Sequence, residues 1–208
     1  MLSSPAVRPS KIVGVGLNYR SHSLEVGKAL PAEPLIFLKP PSAVIGPGEP
    51  IRLPAGSLRV EYEGELAVVI GTRAHRLGRA EALGCVAGYT CLNDVSAREL
   101  QARDRQWTRA KGFDTFCPVG PRVAPGLDPT RLRLVTRVNG VVRQDASTAD
   151  MVFDVAALIE FISGVMTLEP GDLIATGTPA GVGPLAPGDL VEVEIEGIGV
   201  LANPVIAG

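Results

Sequence analysis

The amino-acid sequence contains no long hydrophobic run and no segment dominated by charge of one sign. No apolar stretch approaches the ~20 residues that a helix needs to cross a bilayer, and residues 1–10 have neither the apolar core nor the basic cluster of a signal peptide. The 20 basic and 22 acidic residues leave a net charge of −2, without a basic patch or an acidic tail. We therefore expect a cytoplasmic protein that binds neither membranes nor nucleic acid.

Cysteine is scarce in this chain. The chain has three cysteines, Cys85, Cys91 and Cys117, which is an odd number. They do not follow the spacing of a metal motif, and each has apolar neighbours. We expect three buried, reduced thiols.

Glycine (24 residues) and proline (18 residues) are plentiful, yet no low-complexity run occurs. This composition indicates many short strands joined by tight turns.

The length and the local patterns predict one domain rich in strands. A chain of 208 residues, 46% of them hydrophobic, is long enough for one domain over residues 1–208. Asn139-Gly140 between two apolar runs predicts a β-hairpin, and Ser96 with Glu99 predicts a capping box at a helix start. Strands are predicted over residues 11–17, 35–39, 60–70, 86–92, 132–138, 141–144, 173–176 and 190–196.

Helices are fewer in this prediction. They are expected over residues 80–83, 97–105 and 155–166, while residues 20–30 form either a short helix or a mobile loop. The core-facing residues of the helix at 155–166 are predicted to be Leu158, Ile159, Ile162 and Val165.

The segment at residues 60–70 carries an unusual acidic face. Side chains alternate across a strand, so three glutamates share one side, namely Glu61, Glu63 and Glu65. That side continues as Ala67 and Val69, which belong in a core. Because burying an unpaired carboxylate costs several kcal/mol, adjacent acids at a core boundary require a cation, and a metal ion is the simplest one. The same spacing recurs in Val191–Glu196, so the pattern alone leaves a solvated strand as the alternative.

Five further residues are considered for a functional role. Asp94 lies between a strand end and a helix start, where it is either a functional acid or a turn acid. Lys111 is one of four lysines and is either a pocket residue or a solvated one. His22 and Glu25 are three residues apart and share a helical face if the segment is a helix. His75 has no such partner and is interpreted as a surface residue.

Several motifs in one order resemble the fumarylacetoacetate hydrolase family. The likeness covers about residues 12–205 and is closest to short single-domain members, such as 2-hydroxyhepta-2,4-diene-1,7-dioate isomerases and acylpyruvases. The motifs are Asn18-Tyr19, Phe37-Leu38-Lys39-Pro40, Tyr62-Glu63-Gly64-Glu65-Leu66, Asn93-Asp94-Val95-Ser96-Ala97-Arg98, Lys111-Gly112-Phe113-Asp114 and Thr176-Gly177-Thr178-Pro179-Ala180-Gly181-Val182-Gly183.

The resemblance implies a metal centre held by Glu63, Glu65 and Asp94. Three hard oxygen donors, with no histidine or cysteine among them, suit Mg²⁺ or Mn²⁺, with Ca²⁺ as a third candidate, and argue against zinc. Glu61 does not match a ligand position. Lys111 is implied to lie in the pocket, where it would hold a substrate carboxylate or a developing enolate oxygen.

The resemblance also assigns residues around this centre. His22 and Glu25 match a His-x-x-Glu pair on a lid segment within residues 1–50 that closes over the site, and the carboxylate would orient the imidazole as a base. Arg98 and Gln101 are placed near the pocket as substrate-binding residues, although a solvated helix face is the alternative. Thr178 is implied to contact the substrate carboxylate.

The function expected from this resemblance is metal-dependent catalysis on a small oxo acid. We expect an α+β, β-rich fold, a mixed β-sandwich roll with few helices, and a homodimer. The substrate would be a 2-oxo or 2,4-dioxo acid or diacid, undergoing C–C bond hydrolysis, decarboxylation or keto–enol isomerisation in catabolism. The alternatives are a sugar-acid dehydratase on the same scaffold and a noncatalytic relative.

Overall fold

The computed structural model of the chain describes residues 7–56 and 59–208. The strands are β1 Ile12–Gly16, β2 Leu35–Lys39, β3 Val44–Ile45, β4 Ile51–Leu53, β5 Val60–Tyr62, β6 Gly64–Ile70, β7 Val86–Asn93, β8 Ser96–Ala97, β9 Cys117–Ala124, β10 Arg133–Val138, β11 Val141–Ser147, β12 Leu173–Ala175, β13 Gly183–Pro184, β14 Leu190–Ile195 and β15 Gly199–Ala207. The helices are α1 Arg20–Glu25, α2 Arg79–Ala82, α3 Arg98–Asp104, α4 Thr108–Lys111 and α5 Val155–Val165.

The described strands form three sheets. The largest has seven strands in the order β2-β1-β12-β6-β7-β9-β3, the second has five in the order β11-β10-β14-β15-β4, and the smallest joins β13, β5 and β8. Parallel and antiparallel pairs occur in both larger sheets. The largest hydrophobic cluster lies between these two sheets and includes the buried face of α5. The fold is therefore a strand-rich α+β fold with curled mixed sheets, as predicted.

The predicted hairpin turn, most of the predicted helix face and the buried thiols are confirmed. Asn139 and Gly140 both have positive φ, at 53° and 76°, which a two-residue hairpin turn requires. Leu158, Ile159 and Ile162 of α5 are buried as predicted, but Val165 is 59% exposed because it is the last residue of the helix. All three cysteines are free and buried, as expected.

One local prediction is wrong, and two of the longer strands were missed. Ser96 does not cap α3, because its hydroxyl donates to the carbonyl of Asp94 (2.9 Å) and Ser96 belongs to the short strand β8. The strands Cys117–Ala124 and Gly199–Ala207 were not predicted, since their apolar and polar residues do not alternate cleanly.

Across the described residues, no helix combines the length and hydropathy that a membrane span requires. Of the segment interpreted as lacking a signal peptide, residues 1–6 lie outside the described residues.

Candidate functional site

The acidic segment predicted as one strand is two strands that part at Glu63. β5 ends at Tyr62 and pairs within the small sheet, whereas β6 begins at Gly64 and pairs within the seven-stranded sheet. The backbone N–H of Glu63 donates to the side-chain oxygen of Asn93 (3.0 Å), and its carbonyl accepts from the backbone N–H of Asp94 (2.9 Å). The change of sheet turns the chain at Glu63 and ties that corner to the end of β7.

Three carboxylates, those of Glu63, Glu65 and Asp94, converge where the chain turns, and we call this cluster the carboxylate corner. One oxygen from each of Glu63, Glu65 and Asp94 lies within 4.8 Å of the other two, and the three residues are at most 5% exposed. The second run of alternating glutamates behaves differently, because Glu194 is 43% exposed and pairs with Arg137 at the surface of the five-stranded sheet. Burial therefore separates the two segments that sequence spacing could not.

Two buried lysines compensate part of this charge. The Lys111 ammonium lies 2.8 Å from Glu63 Oε2 and 2.5 Å from Asp94 Oδ2. The Lys39 ammonium lies 2.6 Å from the other oxygen of Asp94 and has no exposed side-chain surface. Sequence reasoning placed Lys111 in the pocket but overlooked Lys39. Its signal was available, since a lysine in the apolar segment Leu35–Lys39 is unusual in a chain with four lysines.

The acids of the carboxylate corner differ in how far neighbouring cations offset their negative charge. Burial raises the pKa of Glu63, but the charges of Lys111 and Arg98 outweigh this and hold that pKa well below its usual range. Burial likewise disfavours the charged form of Lys111, yet Asp94 and Glu63 keep the pKa of Lys111 above its usual value. Burial, followed by the charges of Asp94 and Glu63, raises the pKa of Glu65. Among the described residues, no cationic side chain lies within 4.0 Å of Glu65.

Arg98 is engaged with the acids of the site. Its Nε lies 2.6 Å from Glu61, its Nη2 lies 2.6 Å from Glu63, and its Nη1 donates to the side-chain oxygen of Gln101 (2.8 Å). Glu61, which matched no ligand position, also pairs with Arg59 at 2.6 Å. Arg98 is therefore not part of a solvated helix face, and its contact with a substrate stays a prediction.

His22 and Glu25 lie on α1, which packs over the site. Nδ1 of His22 is 3.1 Å from one oxygen of Glu25, and the other oxygen accepts from the backbone N–H of Gly181 (2.9 Å). His22 is 8% exposed, so it is not an exposed loop histidine. His75 is exposed, as predicted, and its ring lies 3.2 Å from the Thr167 hydroxyl.

Thr178 belongs to the glycine-rich loop at residues 176–183. Its hydroxyl donates to the carbonyl of Gly64 (2.9 Å) and accepts from the side-chain amide of Gln144 (2.8 Å). The backbone N–H of Gly177 donates to Glu65 (2.8 Å). Gln144 was missed because it lies on β11, whose neighbouring residues are exposed, and nothing in the local sequence indicates that this one amide turns inward.

A cavity of about 510 Å³ opens above these residues. Asp94 does not line it, since its carboxylate bonds the two lysines behind it. The apolar part of its lining includes Val15, Phe37 and Trp107; the two aromatic rings are 5.3 Å apart in an edge-to-face contact, and the Phe37 ring centroid lies 4.8 Å from the Lys111 ammonium. The other eight predicted site residues all line the cavity: His22, Glu25, Glu63, Glu65, Arg98, Gln101, Lys111 and Thr178.

Comparison with known families agrees with the motifs. The family model described as "Fumarylacetoacetate (FAA) hydrolase C-terminal" matches residues 11–206. The chain belongs to the fumarylacetoacetate hydrolase family. The resemblance inferred from the sequence is thereby confirmed, and family members that are similar to this chain include isomerases, tautomerases and hydrolases.

Three relatives illustrate this similarity. The solved structure of 2-hydroxyhepta-2,4-diene-1,7-dioate isomerase from Mycobacterium marinum is 54% identical, with a TM-score of 0.92, and covers 98% of this chain and 77% of that one. A mitochondrial oxaloacetate tautomerase from Xenopus laevis is 43% identical over 217 residues, 99% of this chain and 68% of the relative. Maleylpyruvate hydrolase from Sphingobium sp. SYK-6, in complex with manganese(II) and pyruvate, is 40% identical with a TM-score of 0.84, covering 97% and 72%.

The residues of the carboxylate corner fit a hard divalent cation. The three acids offer only oxygen ligands, which Mg²⁺ and Mn²⁺ prefer. Glu65 is 1% exposed, and its protein hydrogen-bond donor is a backbone amide rather than a cationic side chain. A cation held where the three side chains converge would stabilise a buried carboxylate in that position. The family's manganese-bound hydrolase points the same way.

Proposed function

We propose that this protein is a Mg²⁺- or Mn²⁺-dependent enzyme that catalyses keto–enol isomerisation of a small 2-oxo or 2,4-dioxo acid. The observation that carries the proposal is the convergence of Glu63, Glu65 and Asp94 beneath a cavity that is also lined by His22. The similarity to an isomerase and to a tautomerase of the same family supports this reaction type.

The chemistry rests on charge that develops on the substrate's keto oxygen. When bound, the divalent cation would supply electrostatic stabilisation of that negative charge. The ammonium of Lys111 lines the same cavity and would add a second positive charge beside it. A carbon next to a carbonyl loses a proton more readily when the oxygen is stabilised in this way, so isomerisation needs only one positioned base in addition.

His22 is the base that the geometry supports. If Nδ1 donates to Glu25, the ring's second nitrogen carries the lone pair and can accept a proton. Glu25 is held by the amide of Gly181, so the pair keeps its orientation relative to the loop that carries Thr178. The apolar wall at Phe37 and Trp107 would pack against the carbon chain of the substrate and exclude water from that side.

A second candidate reaction is C–C bond hydrolysis of a 2,4-dioxo acid. It is favoured by the paired His22 and Glu25, which could remove a proton from water, and by the similarity to maleylpyruvate hydrolase. The same cavity serves both reactions. The difference lies in whether a water molecule or only a substrate carbon faces the imidazole.

The test compares Glu65→Gln with Glu194→Gln, which removes an equal charge from a partly exposed position on β14. The substrates are oxaloacetate, acylpyruvates and unsaturated 2-oxo diacids, with and without Mg²⁺ or Mn²⁺. Enol absorbance, cleavage products and CO₂ are measured separately, so isomerisation, hydrolysis and decarboxylation are distinguished. We expect metal-dependent isomerisation that Glu65→Gln abolishes and Glu194→Gln retains. Equal effects of the two substitutions, or activity without any metal, would refute the proposal.

A further inference from the structure

The cavity differs in charge between its floor and its mouth. At the floor, Glu63, Glu65 and Lys111 are at most 5% exposed. At the mouth, Lys28 is exposed and the Arg59 side chain is 61% exposed, and both line the same cavity. A ligand whose oxo-acid end reaches the floor therefore extends its far end toward two cationic side chains.

The charged side chains around the cavity, without a bound cation or substrate, sum to zero when all of them are ionised. The carboxylates at the cavity and directly behind it are Glu25, Glu61, Glu63, Glu65 and Asp94. The cationic side chains are Lys28, Lys39, Arg59, Arg98 and Lys111. With His22 neutral, these five negative and five positive groups balance, so a bound divalent cation leaves an excess of two positive charges. The ligand that restores neutrality is a dianion, which a 2-oxo diacid is and a 2-oxo monoacid is not.

Lys28 differs from the other cationic side chains at the cavity in its ion pairs. Lys39, Lys111 and Arg98 lie within 2.8 Å of carboxylates at the floor, and Arg59 lies 2.6 Å from Glu61. Among the residues that the structure describes, no carboxylate lies within 4.0 Å of the Lys28 ammonium. Its long side chain also has no hydrogen bond there, so it is free to meet an anionic group that enters the cavity.

The backbone at Lys28 is fixed by the end of α1. The N–H of Lys28 donates to the carbonyl of Ser23 (3.0 Å), the N–H of Gly27 donates to that of Leu24 (3.2 Å), and Gly27 has a φ of 64°. These are the two hydrogen bonds and the left-handed residue of a Schellman motif. Lys28 therefore follows directly from the helix that carries His22, at a defined position relative to the imidazole.

We infer that Lys28 is a specificity-determining residue that binds the distal carboxylate of a dianionic 2-oxo substrate. The inference rests on the proposed function, because the oxo-acid end must be held at the carboxylate corner for the far end to reach Lys28. Arg59 contributes less, since its guanidinium already pairs with Glu61.

The experiment measures equilibrium binding, so that it does not depend on turnover. The probes are 2-oxopentanedioate and 2-oxopentanoate, which have the same chain length and differ in whether the far end is a carboxylate or a methyl group. Each is titrated calorimetrically into the Mn²⁺-loaded protein at low ionic strength. The variants are Lys28→Met, Arg59→Met and, as the matched control, Arg131→Met, whose side chain is 82% exposed and is not among the residues that line the cavity.

We expect wild type to bind the diacid more tightly than the monoacid. Lys28→Met should weaken diacid binding by about fivefold, the size of one partly exposed ion pair, and leave monoacid binding unchanged. Arg131→Met should change neither affinity. An unchanged diacid preference in Lys28→Met, or a preference lost in Arg59→Met instead, would overturn the assignment of Lys28 while the proposed function stands. If wild type binds neither acid in the presence of Mn²⁺, both proposals are refuted.

Discussion

At the floor of the cavity, each carboxylate has a different set of neighbours. Asp94 accepts from Lys39 and Lys111, and Glu63 lies between Lys111 and Arg98. Glu65 faces both acids without a cationic side chain within 4.0 Å among the described residues. Its negative charge is therefore the one that depends most on a bound cation, and substitution of Glu65 should have opposite effects on the stabilities of the metal-free and metal-loaded proteins.

Glu65→Gln should stabilise the metal-free protein. The substitution keeps the shape of the side chain and removes a buried charge that Asp94 and Glu63 repel, so we expect a gain of about 1 kcal/mol or more in the free energy of unfolding. In wild type, Mn²⁺ at 100 times its Kd should add about 2.7 kcal/mol, and in the variant it should add little. Urea unfolding with and without Mn²⁺ measures both. Destabilisation of the metal-free variant would contradict this account of Glu65.

His22→Ala should separate hydrolysis from metal binding. The candidate metal ligands are Glu63, Glu65 and Asp94, so loss of the imidazole should leave Mn²⁺ affinity unchanged. Isomerisation and any hydrolytic turnover should fall by about 10²–10⁴-fold, as expected for loss of a general base. His75→Ala, at an exposed histidine, is the matched control. Calorimetric Mn²⁺ binding and product formation are the two measurements. Unchanged hydrolysis in His22→Ala would remove this residue from the mechanism.

At the scale of elements, the loop at residues 176–183 connects the two sides of the site. Its amides donate to Glu65 through Gly177 and to Glu25 through Gly181. The Tyr62 hydroxyl donates to the carbonyl of Gly181 (2.8 Å). The loop therefore relates the carboxylate corner to the histidine pair, and its backbone geometry matters more than its side chains.

Gly181→Ala should disrupt this connection. Gly181 has a φ of 100°, and a Cβ there would lie 2.0 Å from the carbonyl oxygen of Arg143, so the loop must move. We expect a loss of about 1–3 kcal/mol in stability and a lower kcat/KM. Gly164→Ala is the control, because Gly164 lies in α5 with no atom within 4 Å of the added Cβ, and it should stabilise by about 0.5–1 kcal/mol. A Gly181→Ala variant with wild-type stability and kinetics would contradict the prediction.

A second connection joins the beginnings of the parallel pair β1 and β12. The buried Asp172 carboxylate accepts from the Ser10 hydroxyl (2.6 Å), from the backbone N–H groups of Ser10, Lys11 and Glu169, and from the Lys11 ammonium. Burial raises the pKa of Asp172, but the hydrogen bonds from Lys11 and Ser10 outweigh this and hold that pKa below its usual value of about 3.9. The charged form is therefore stabilised in the folded protein.

Asp172→Asn should remove a pH-dependent part of the stability. Because the folded-state pKa is lowered, the stabilisation is fully present above the unfolded-state pKa and disappears as pH falls through the folded-state pKa. We expect the variant to be less stable than wild type by about 1–3 kcal/mol above pH ~5, with the difference shrinking as pH falls below ~4. Urea unfolding over a pH series measures it. Asp114→Asn, at an exposed aspartate, is the control, and a pH-independent difference for Asp172→Asn would contradict the argument.

At the scale of the whole molecule, the edge strand β2 leaves apolar side chains exposed. Leu35 and Leu38 on this edge of the seven-stranded sheet are 42% and 48% exposed, and Leu24 and Leu30 in the preceding segment are 83% and 47% exposed. Unprotected apolar edges are sites of association. We expect the predicted homodimer to bury this edge.

Sedimentation velocity tests the homodimer. Leu38→Glu should yield monomers, because it places a charge within the buried surface. Val142→Glu, on the exposed edge strand β11 of the other sheet, should leave the dimer intact. A wild-type monomer at micromolar concentration would refute the predicted oligomer, and dissociation by Val142→Glu alone would place the interface on the five-stranded sheet.

The candidate site could be predicted in part because its acids lie in short motifs. Glu63 and Glu65 are two residues apart, and Asp94 follows a predicted strand, so the sequence alone indicated these three acids as candidates. Lys39 and Gln144 were not predicted, since each contacts its partner across a long separation: Lys39 bonds Asp94, 55 residues away, and Gln144 bonds Gly64, 80 residues away. Local periodicity reports which face of an element is apolar, and it does not report which distant segment that face meets.

Local residue patterns were enough to predict the strand-rich composition, the hairpin at Asn139-Gly140 and the helix over residues 155–166, and the motifs were enough to indicate the family. Only the folded chain shows that Glu61, Glu63 and Glu65 are buried while Glu192 and Glu194 of β14 are partly exposed, although both runs have the same spacing. The physical reason is that backbone turns and hydrophobic spacing depend on neighbours in the chain. The state of a carboxylate depends on the dielectric surroundings and the cations that the folded chain brings to it.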